Sequence, residues 1–278
     1  MLLLILNSNN ARLGITVAPH VLSASALPTR FERSGIRHYR AGDDPNRAYA
    51  SVTAILGATS SAASKKALAN WAERNPGGRE AAAARGSAVH LACENYIRGL
   101  PTQIPDEYRP YWDGLAKYLD QYDTFLWSER PLRPEWLHCV GEDGISRIWS
   151  HKHGYAGCPD LVGLRNGVAI LCDFKTSVGP YARYFPKTEE AGTFGGWQKY
   201  MKCAIQLGAY SIALEETLGI TIDAAQILVS TPETDQSFLI HGDELLRHRI
   251  KWLQRVRQFY ELKAAEAEAE AEAALIAA

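Results

Sequence analysis

Asn166-Gly167 stands between two apolar runs, 161–164 and 168–171. A two-residue Asn-Gly link between such runs specifies a tight β-hairpin, because these residues tolerate the positive φ that the turn demands. Asp160 lies just ahead of the first run, and Asp173 lies thirteen residues later in the partner strand, so the pairing can bring the two carboxylates side by side. In a strand, residues i and i+2 share a face; Asp173 and Lys175 therefore project together while Phe174 turns to the other side. Two carboxylates at that spacing repel unless a cation separates them, and oxygen ligation suits Mg²⁺ or Mn²⁺. Lys175 can then orient an attacking water or stabilise charge on a phosphate, and a hard divalent ion lowers the pKa of bound water, as phosphodiester hydrolysis requires. Taken singly, a Pro-Asp turn and an Asp-x-Lys strand are ordinary surface features. Their order within one hairpin gives them weight.

Around the hairpin, 127–177 is a series of short runs rich in Val, Ile, Trp and Leu, broken at 141–144, 153–155 and 165–167, which predicts an antiparallel meander of three or four strands. Helices are predicted on either side. One starts at Ser60 or Ser61 as cap, uses Leu68 and Trp71 as apolar anchors, and stops at Asn75-Pro76-Gly77-Gly78; a second covers 79–98. A third opens at Pro105 and carries Tyr111, Leu115, Tyr118, Leu119, Tyr122 and Leu126 at helical spacing. Further helices are expected over 196–218 and 243–262, the last with Leu246, Ile250, Leu253 and Phe259 or Tyr260 inward, and a strand over 224–230. Residues 1–57 hold turn signals without a strong period, although 49–56 fits a strand or a helix entry. The Ala/Glu run at the end has high helix propensity and little to bury, so it reads as an exposed extension of the last helix. The division implied is an N-terminal segment, 1–58, a domain over 59–262 and a tail over 263–278.

The chain has 278 residues, 46% hydrophobic and 22% charged, enough for a full core. No stretch approaches the roughly 18 consecutive apolar residues of a membrane span, and the opening apolar run lacks the basic flank of a secretory signal. A cytoplasmic, unprocessed protein without membrane contact is expected. The five cysteines form no CxxC pair, which favours buried free thiols. Net charge is −1, but the tail from Glu261 holds five Glu and one Lys, so residues 1–260 carry 29 bases against 26 acids. That balance permits a nucleic-acid partner.

Gly157-Cys158-Pro159-Asp160 followed by Asp173-Phe174-Lys175-Thr176-Ser177 resembles motifs II and III of the PD-(D/E)xK nuclease superfamily, in its RecB-type branch. Upstream, Arg85-Gly86-Ser87-Ala88-Val89-His90, with Glu94 one turn later, resembles motif I of that branch, whose histidine is a metal ligand. Downstream, Gln206-Leu207-Gly208-Ala209-Tyr210 resembles its Gln-xxx-Tyr motif, which sits on a helix near the substrate. Ser128-Glu129 ahead of Tyr155-Ala156-Gly157 is similar to a pairing in the mitochondrial genome maintenance exonucleases and their phage relatives. The resemblance spans about 80–230 in family order. It implies a restriction-endonuclease-like α/β core, a mixed central sheet flanked by helices, with Asp160, Asp173 and Lys175 catalytic. It also implies His90, Asp160 and Asp173 as metal ligands, Glu94, Glu129, Gln206 and Tyr210 beside the ligands or against substrate, and Arg85 on a phosphate. Alone, His90 between Val89 and Leu91 reads as a core histidine. Glu94 shares the helix face of His90 and either orients the imidazole or is a surface acid, and Gln206 and Tyr210, read without the motif, can be a plain solvent face. Some RecB-type nucleases hold an iron-sulfur cluster through cysteines near the C-terminus; nothing after Cys203 is a cysteine, so no such cluster is expected.

The activity implied is divalent-metal-dependent hydrolysis of DNA in recombination, repair or phage replication. The alternatives are a nucleic-acid-binding protein that kept the fold and lost the chemistry, or a restriction-type endonuclease. Between Ser177 and Gln206, Tyr181, Tyr184, Phe185 and Trp197 alternate with Arg183, Lys187, Lys199 and Lys202. Aromatic rings stack unpaired bases while cations follow phosphates, so this segment favours single-stranded DNA. Gly179, Gly192, Gly195 and Gly196 would let it close over a strand threaded past Lys175, which favours exonuclease action on an end.

Overall fold

The computed structural model of the chain describes residues 30–41, 47–141, 143–187 and 193–277. The Asn166-Gly167 turn forms with both residues at positive φ, 51° and 76°, and joins β7 (Leu161–Arg165) to β8 (Val168–Thr176). Leu161 sits opposite Cys172 and Arg165 opposite Val168. This hairpin lies inside a five-stranded mixed sheet ordered β10 (Asp235–His241), β9 (Ala224–Ser230), β8, β7, β4 (Thr124–Ser128), in which β8 and β9 are parallel and the other neighbours antiparallel.

The two-residue period of β8 splits the interior. Ile170, Cys172 and Phe174 enter one core with α3 (Gly78–Ile97) and α4 (Arg109–Leu119). Ala169 and Leu171 enter another with α5 (Thr193–Leu218) and α6 (Gly242–Ala277). Covered on both faces, β8 and β9 are near-continuous apolar runs rather than alternating ones. The molecule is thus a mixed α/β fold, helices on both faces of a mixed sheet, as expected.

The meander over 127–177 is not one sheet. β5 (Ile148–Ser150) and β6 (Tyr155–Gly157) belong to a second sheet ordered β1 (Arg30–Arg33), β2 (Ile36–Arg40), β3 (Ala48–Ser51), β6, β5, with β3 parallel to β6. The break falls at Cys158-Pro159, where proline has no N–H to continue a ladder and the chain passes from one sheet into the other. Earlier in the same stretch, Pro134–Cys139 is a short 3₁₀ helix. The segment without a legible period therefore supplies three strands, then α1 (Val52–Ala58), whose N-terminus is capped by the Ser51 hydroxyl accepting the Ala54 N–H at 3.1 Å. Tyr39, Tyr49, Val52 and Ile55 are buried in the same core as α5 and α6.

Three helix faces differ from the sequence pattern. Ser61 caps α2 (Ala62–Arg74), but Leu68 is exposed and Trp71 only half covered; α2 buries no residue, and the Trp71 ring instead closes the corner onto Gly78. α4 ends at Leu119, so Tyr122 follows the helix and Leu126 lies in β4. In α6 the buried stripe is Leu245, Trp252, Val256 and Phe259, leaving Leu246, Ile250 and Tyr260 on the exposed side. Contact with α5 sets that rotation: a Cβ at Gly208 would lie 2.7 Å from the backbone of His248, so the helices meet where only glycine fits. Beyond the core, α6 continues to Ala277 with Leu275 and Ile276 exposed. Among the described residues, no helix is long and apolar enough to cross a membrane.

Candidate active site

The step from β6 to β7 sets Asp160 at the seam between the sheets. The β7–β8 register places it beside Asp173, one position beyond the Leu161–Cys172 pair. Its Oδ2 accepts the Phe174 N–H at 2.7 Å, which ties the carboxylate to the partner strand. On β8, Asp173 and Lys175 share a face as the strand period requires, with Lys175 Nζ 2.5 Å from Asp173 Oδ2. The other oxygen, Oδ1, accepts a hydrogen bond from Gln206 Nε2 at 3.0 Å, and the same amide lies 3.2 Å from the Tyr210 hydroxyl. Gln206 and Tyr210 are therefore buried and turned to the sheet, not a solvent face. Gly157 makes room for this: a Cβ there would come 2.3 Å from the Tyr210 ring.

His90 reaches the seam from α3. Its Nε2 lies 3.1 Å from the Phe174 carbonyl, which can only accept, so Nε2 carries hydrogen and Nδ1 faces the carboxylates. Nδ1 is 3.6 Å from Asp160 Oδ1 and 3.7 Å from Glu129 Oε1. Glu129 arrives through β4, whose last residue Ser128 pairs with Leu161, so the next side chain emerges next to Asp160. His90, Glu129 and Asp160 can each point one ligand atom into a group whose members all lie within 4.8 Å of one another.

The electrostatics favour a cation here. Burial alone would lower the His90 pKa, but the charges of Asp160 and Glu129, 3.6 and 3.7 Å from Nδ1, outweigh it and hold the imidazole up at about 9. A proton can thus stand between two carboxylates at a place that equally suits a metal ion. Burial pushes Asp160 up to about 6 against the pull of His90 and Lys175, and the neighbouring charge of Asp173 adds to the rise. The nearby imidazole of His90 holds Glu129 below its ordinary value. Burial also opposes the charge on Lys175, yet Asp173 keeps its amine well above the usual range. An imidazole nitrogen with two carboxylates in reach is a donor set that suits a divalent metal ion, and Asp173, paired with Lys175, stands beside it.

Glu129, expected beside the ligands, is inside the compact group. Asp173, expected among the ligands, is engaged by Lys175 and Gln206. Glu94 is not a surface acid: it is buried, with the Ser128 hydroxyl 3.1 Å and Arg98 Nε 3.9 Å from its Oε1.

The residues proposed to meet DNA are scattered. Arg85 Nε donates to Thr176 Oγ1 at 3.3 Å with its guanidinium over the Tyr111 ring, and Lys199 Nζ lies 3.0 Å from Ser177 Oγ, so both cations stand at the end of β8 just past Lys175. Lys187 is exposed. Tyr181 is buried, so its ring offers no open stacking surface, and Arg183 is committed to Glu244 and to the Leu239 carbonyl. Tyr184 and Phe185 are exposed, and Phe185 packs edge-on to half-buried Trp197 with ring centroids 5.0 Å apart. The glycine hinge is also revised. α5 starts at Thr193, so Gly195 and Gly196 are helical, and Gly196 lies against the Pro180 carbonyl with no room for a Cβ; Gly192 lies outside the described residues.

Sequence comparison finds no family model and no curated protein that matches the chain. Two solved structures to which it is similar are SSO0001, at 15% identity and a TM-score of 0.28 over 65% of this chain and 71% of that one, and a candidate exonuclease from Eubacterium rectale, at 12% identity and a TM-score of 0.34 over 66% and 68%.

Proposed function

We propose that this protein is a divalent-metal-dependent nuclease that hydrolyses DNA phosphodiesters, acting on single-stranded ends in recombination, repair or phage replication. One observation carries the reading: a single hairpin brings Asp160, Asp173 and Lys175 together, and α3 and β4 add His90 and Glu129 at the same seam. His90, Glu129 and Asp160 would hold Mg²⁺ or Mn²⁺, with Asp173 in reach. The bound ion supplies a water of lowered pKa and stabilises charge on the phosphate. The chain's own residues do the rest. The Phe174 carbonyl fixes the imidazole so that Nδ1 is the ring atom offered to the ion. Gln206 pins one oxygen of Asp173, which sets where Lys175 holds its ammonium, and that fixed positive donor is suited to steer a water or to meet charge on a non-bridging phosphate oxygen. Exposed Tyr184 and Phe185, next to exposed Lys187, support the preference for unpaired bases.

The test is purified protein with labelled linear and circular DNA, single-stranded and duplex, in Mg²⁺, Mn²⁺ or EDTA. Linear single strands should be degraded fastest and only with metal. Asp160→Ala, Asp173→Ala and Lys175→Ala should each abolish cleavage while the fold survives. Full activity in EDTA would refute the mechanism, circular strands cut as fast as linear ones would remove the end requirement, and a blunt duplex cut fastest would overturn the stacking argument.

A further inference from the structure

Facing the ligand group is a cleft of about 420 Å³ that joins the two sheets and is lined by His90, Asp160 and Lys175 on one side and by Arg30, Arg37 and Tyr39 of the β1–β2 hairpin on the other. In that hairpin Arg30 pairs with Tyr39 and Glu32 with Arg37, so these four side chains share a face. The opposite face spends its cations on one ring: Arg33 and Arg40 lie 5.9 and 5.6 Å from the centre of Phe31, which stacks on His38. The cleft face is different. Among the described residues neither Arg30 nor Arg37 has an ion-pair partner within 4.0 Å, exposed Glu32 included, and Arg37 Nε is buried without a hydrogen bond. A third arginine of the cleft, Arg147, is paired with Asp143.

We infer that Arg30 and Arg37 hold a phosphate of the bound strand, the β1–β2 hairpin being the wall that keeps a polyanion in a cleft whose other groups include the carboxylates of Glu129 and Asp160. The inference rests on the nuclease reading, since it presumes that a polynucleotide enters here. A buried guanidinium nitrogen without an acceptor carries a desolvation cost that an oxyanion relieves, and the planar fork of arginine matches two phosphate oxygens at once. The phosphate is either an internal diester or a terminal monoester; both present at least two non-bridging oxygens to the fork.

Fluorescence anisotropy in EDTA, where no strand is cut, separates these cases. The probes are one labelled single-stranded oligonucleotide with a 5′-hydroxyl and the same one with a 5′-phosphate, titrated against wild-type protein, Arg30→Ala, Arg37→Ala, the double variant and Arg37→Lys between about 50 and 200 mM salt. The double variant should bind about tenfold more weakly. The slope of log affinity against log salt should flatten by about 0.7 for each phosphate that is no longer neutralised. Arg37→Lys should keep the slope, and thermal melts should report an intact fold in all variants. Weaker binding of both probes assigns the site to an internal diester, and weaker binding of the phosphorylated probe alone assigns it to a terminal phosphate. A double variant with wild-type affinity and slope overturns this inference by itself, whereas wild-type protein that binds neither probe overturns the nuclease reading beneath it.

Discussion

Replacing Asp160 by Asn should stabilise the metal-free protein while it removes the proposed chemistry. Burial and Asp173 raise the folded pKa of Asp160 from 3.8 to about 6. An acid whose folded pKa is raised contributes stability that is complete below the unfolded pKa and lost as pH rises through the folded one. At pH 7.5 that loss amounts to about two pKa units, or about 3 kcal/mol, set against the freely ionised side chain of the unfolded chain. Asparagine keeps an oxygen for the Phe174 N–H, now 2.7 Å from Oδ2, and carries no charge. In EDTA at pH 7.5 the variant should gain about 2 to 3 kcal/mol, seen as a melting point higher by roughly 5 to 10 °C at the 2 to 4 °C per kcal/mol of a chain this size. At pH 4.5 wild-type Asp160 is protonated in the fold while the unfolded side chain, with a pKa of 3.8, is still mostly ionised, so the gap should shrink to about a third, about 1 kcal/mol. A divalent ion should raise the wild-type melting point and leave Asp160→Asn almost unmoved. A variant that melts below wild type at pH 7.5, or a gap of equal size at both pH values, would refute the electrostatic account.

Gly208→Ala should destabilise by about 1 to 3 kcal/mol in urea melts despite the better helix propensity of alanine, because the added methyl meets the His248 backbone; a neutral or stabilised variant would show that α5 and α6 separate freely. His90→Ala and Glu129→Ala should each weaken divalent-ion binding by calorimetry about tenfold or more, and Glu94→Ala should have a smaller effect; the reverse ranking would move the ion elsewhere. Deleting residues 265–278 should leave melting point and cleavage unchanged, since Leu275 and Ile276 are exposed, and a clear drop in either would show that the tail docks.

The hairpin that carries Asp160, Asp173 and Lys175 was legible because its information is local. A two-residue turn fixes the register, the register fixes Asp160 against Asp173, and the strand period fixes Lys175. The division of the meander was not legible, since which sheet a three-residue strand joins depends on β3, about a hundred residues earlier in the chain. Glu129 was visible in the sequence beside Ser128, but its place next to His90 and Asp160 follows from the β4–β7 pairing, a nonlocal fact. In α6 the apolar residues outnumber those that one face can bury, so periodicity allowed two rotations, and the approach at Gly208 selected the other. Arg30 and Arg37 sat in a stretch of mixed polarity whose strands are short and partly exposed, which leaves no period to read.

The parallel ladder between β3 and β6 is only two residue pairs long, Ala50 with Tyr155 and Ser51 with Ala156, yet it joins the N-terminal strands to the remainder of their sheet. Closing a loop over so many residues is slow compared with forming a two-residue hairpin. During folding the Asp160–Asp173–Lys175 hairpin can therefore assemble well before the arginine-bearing wall arrives.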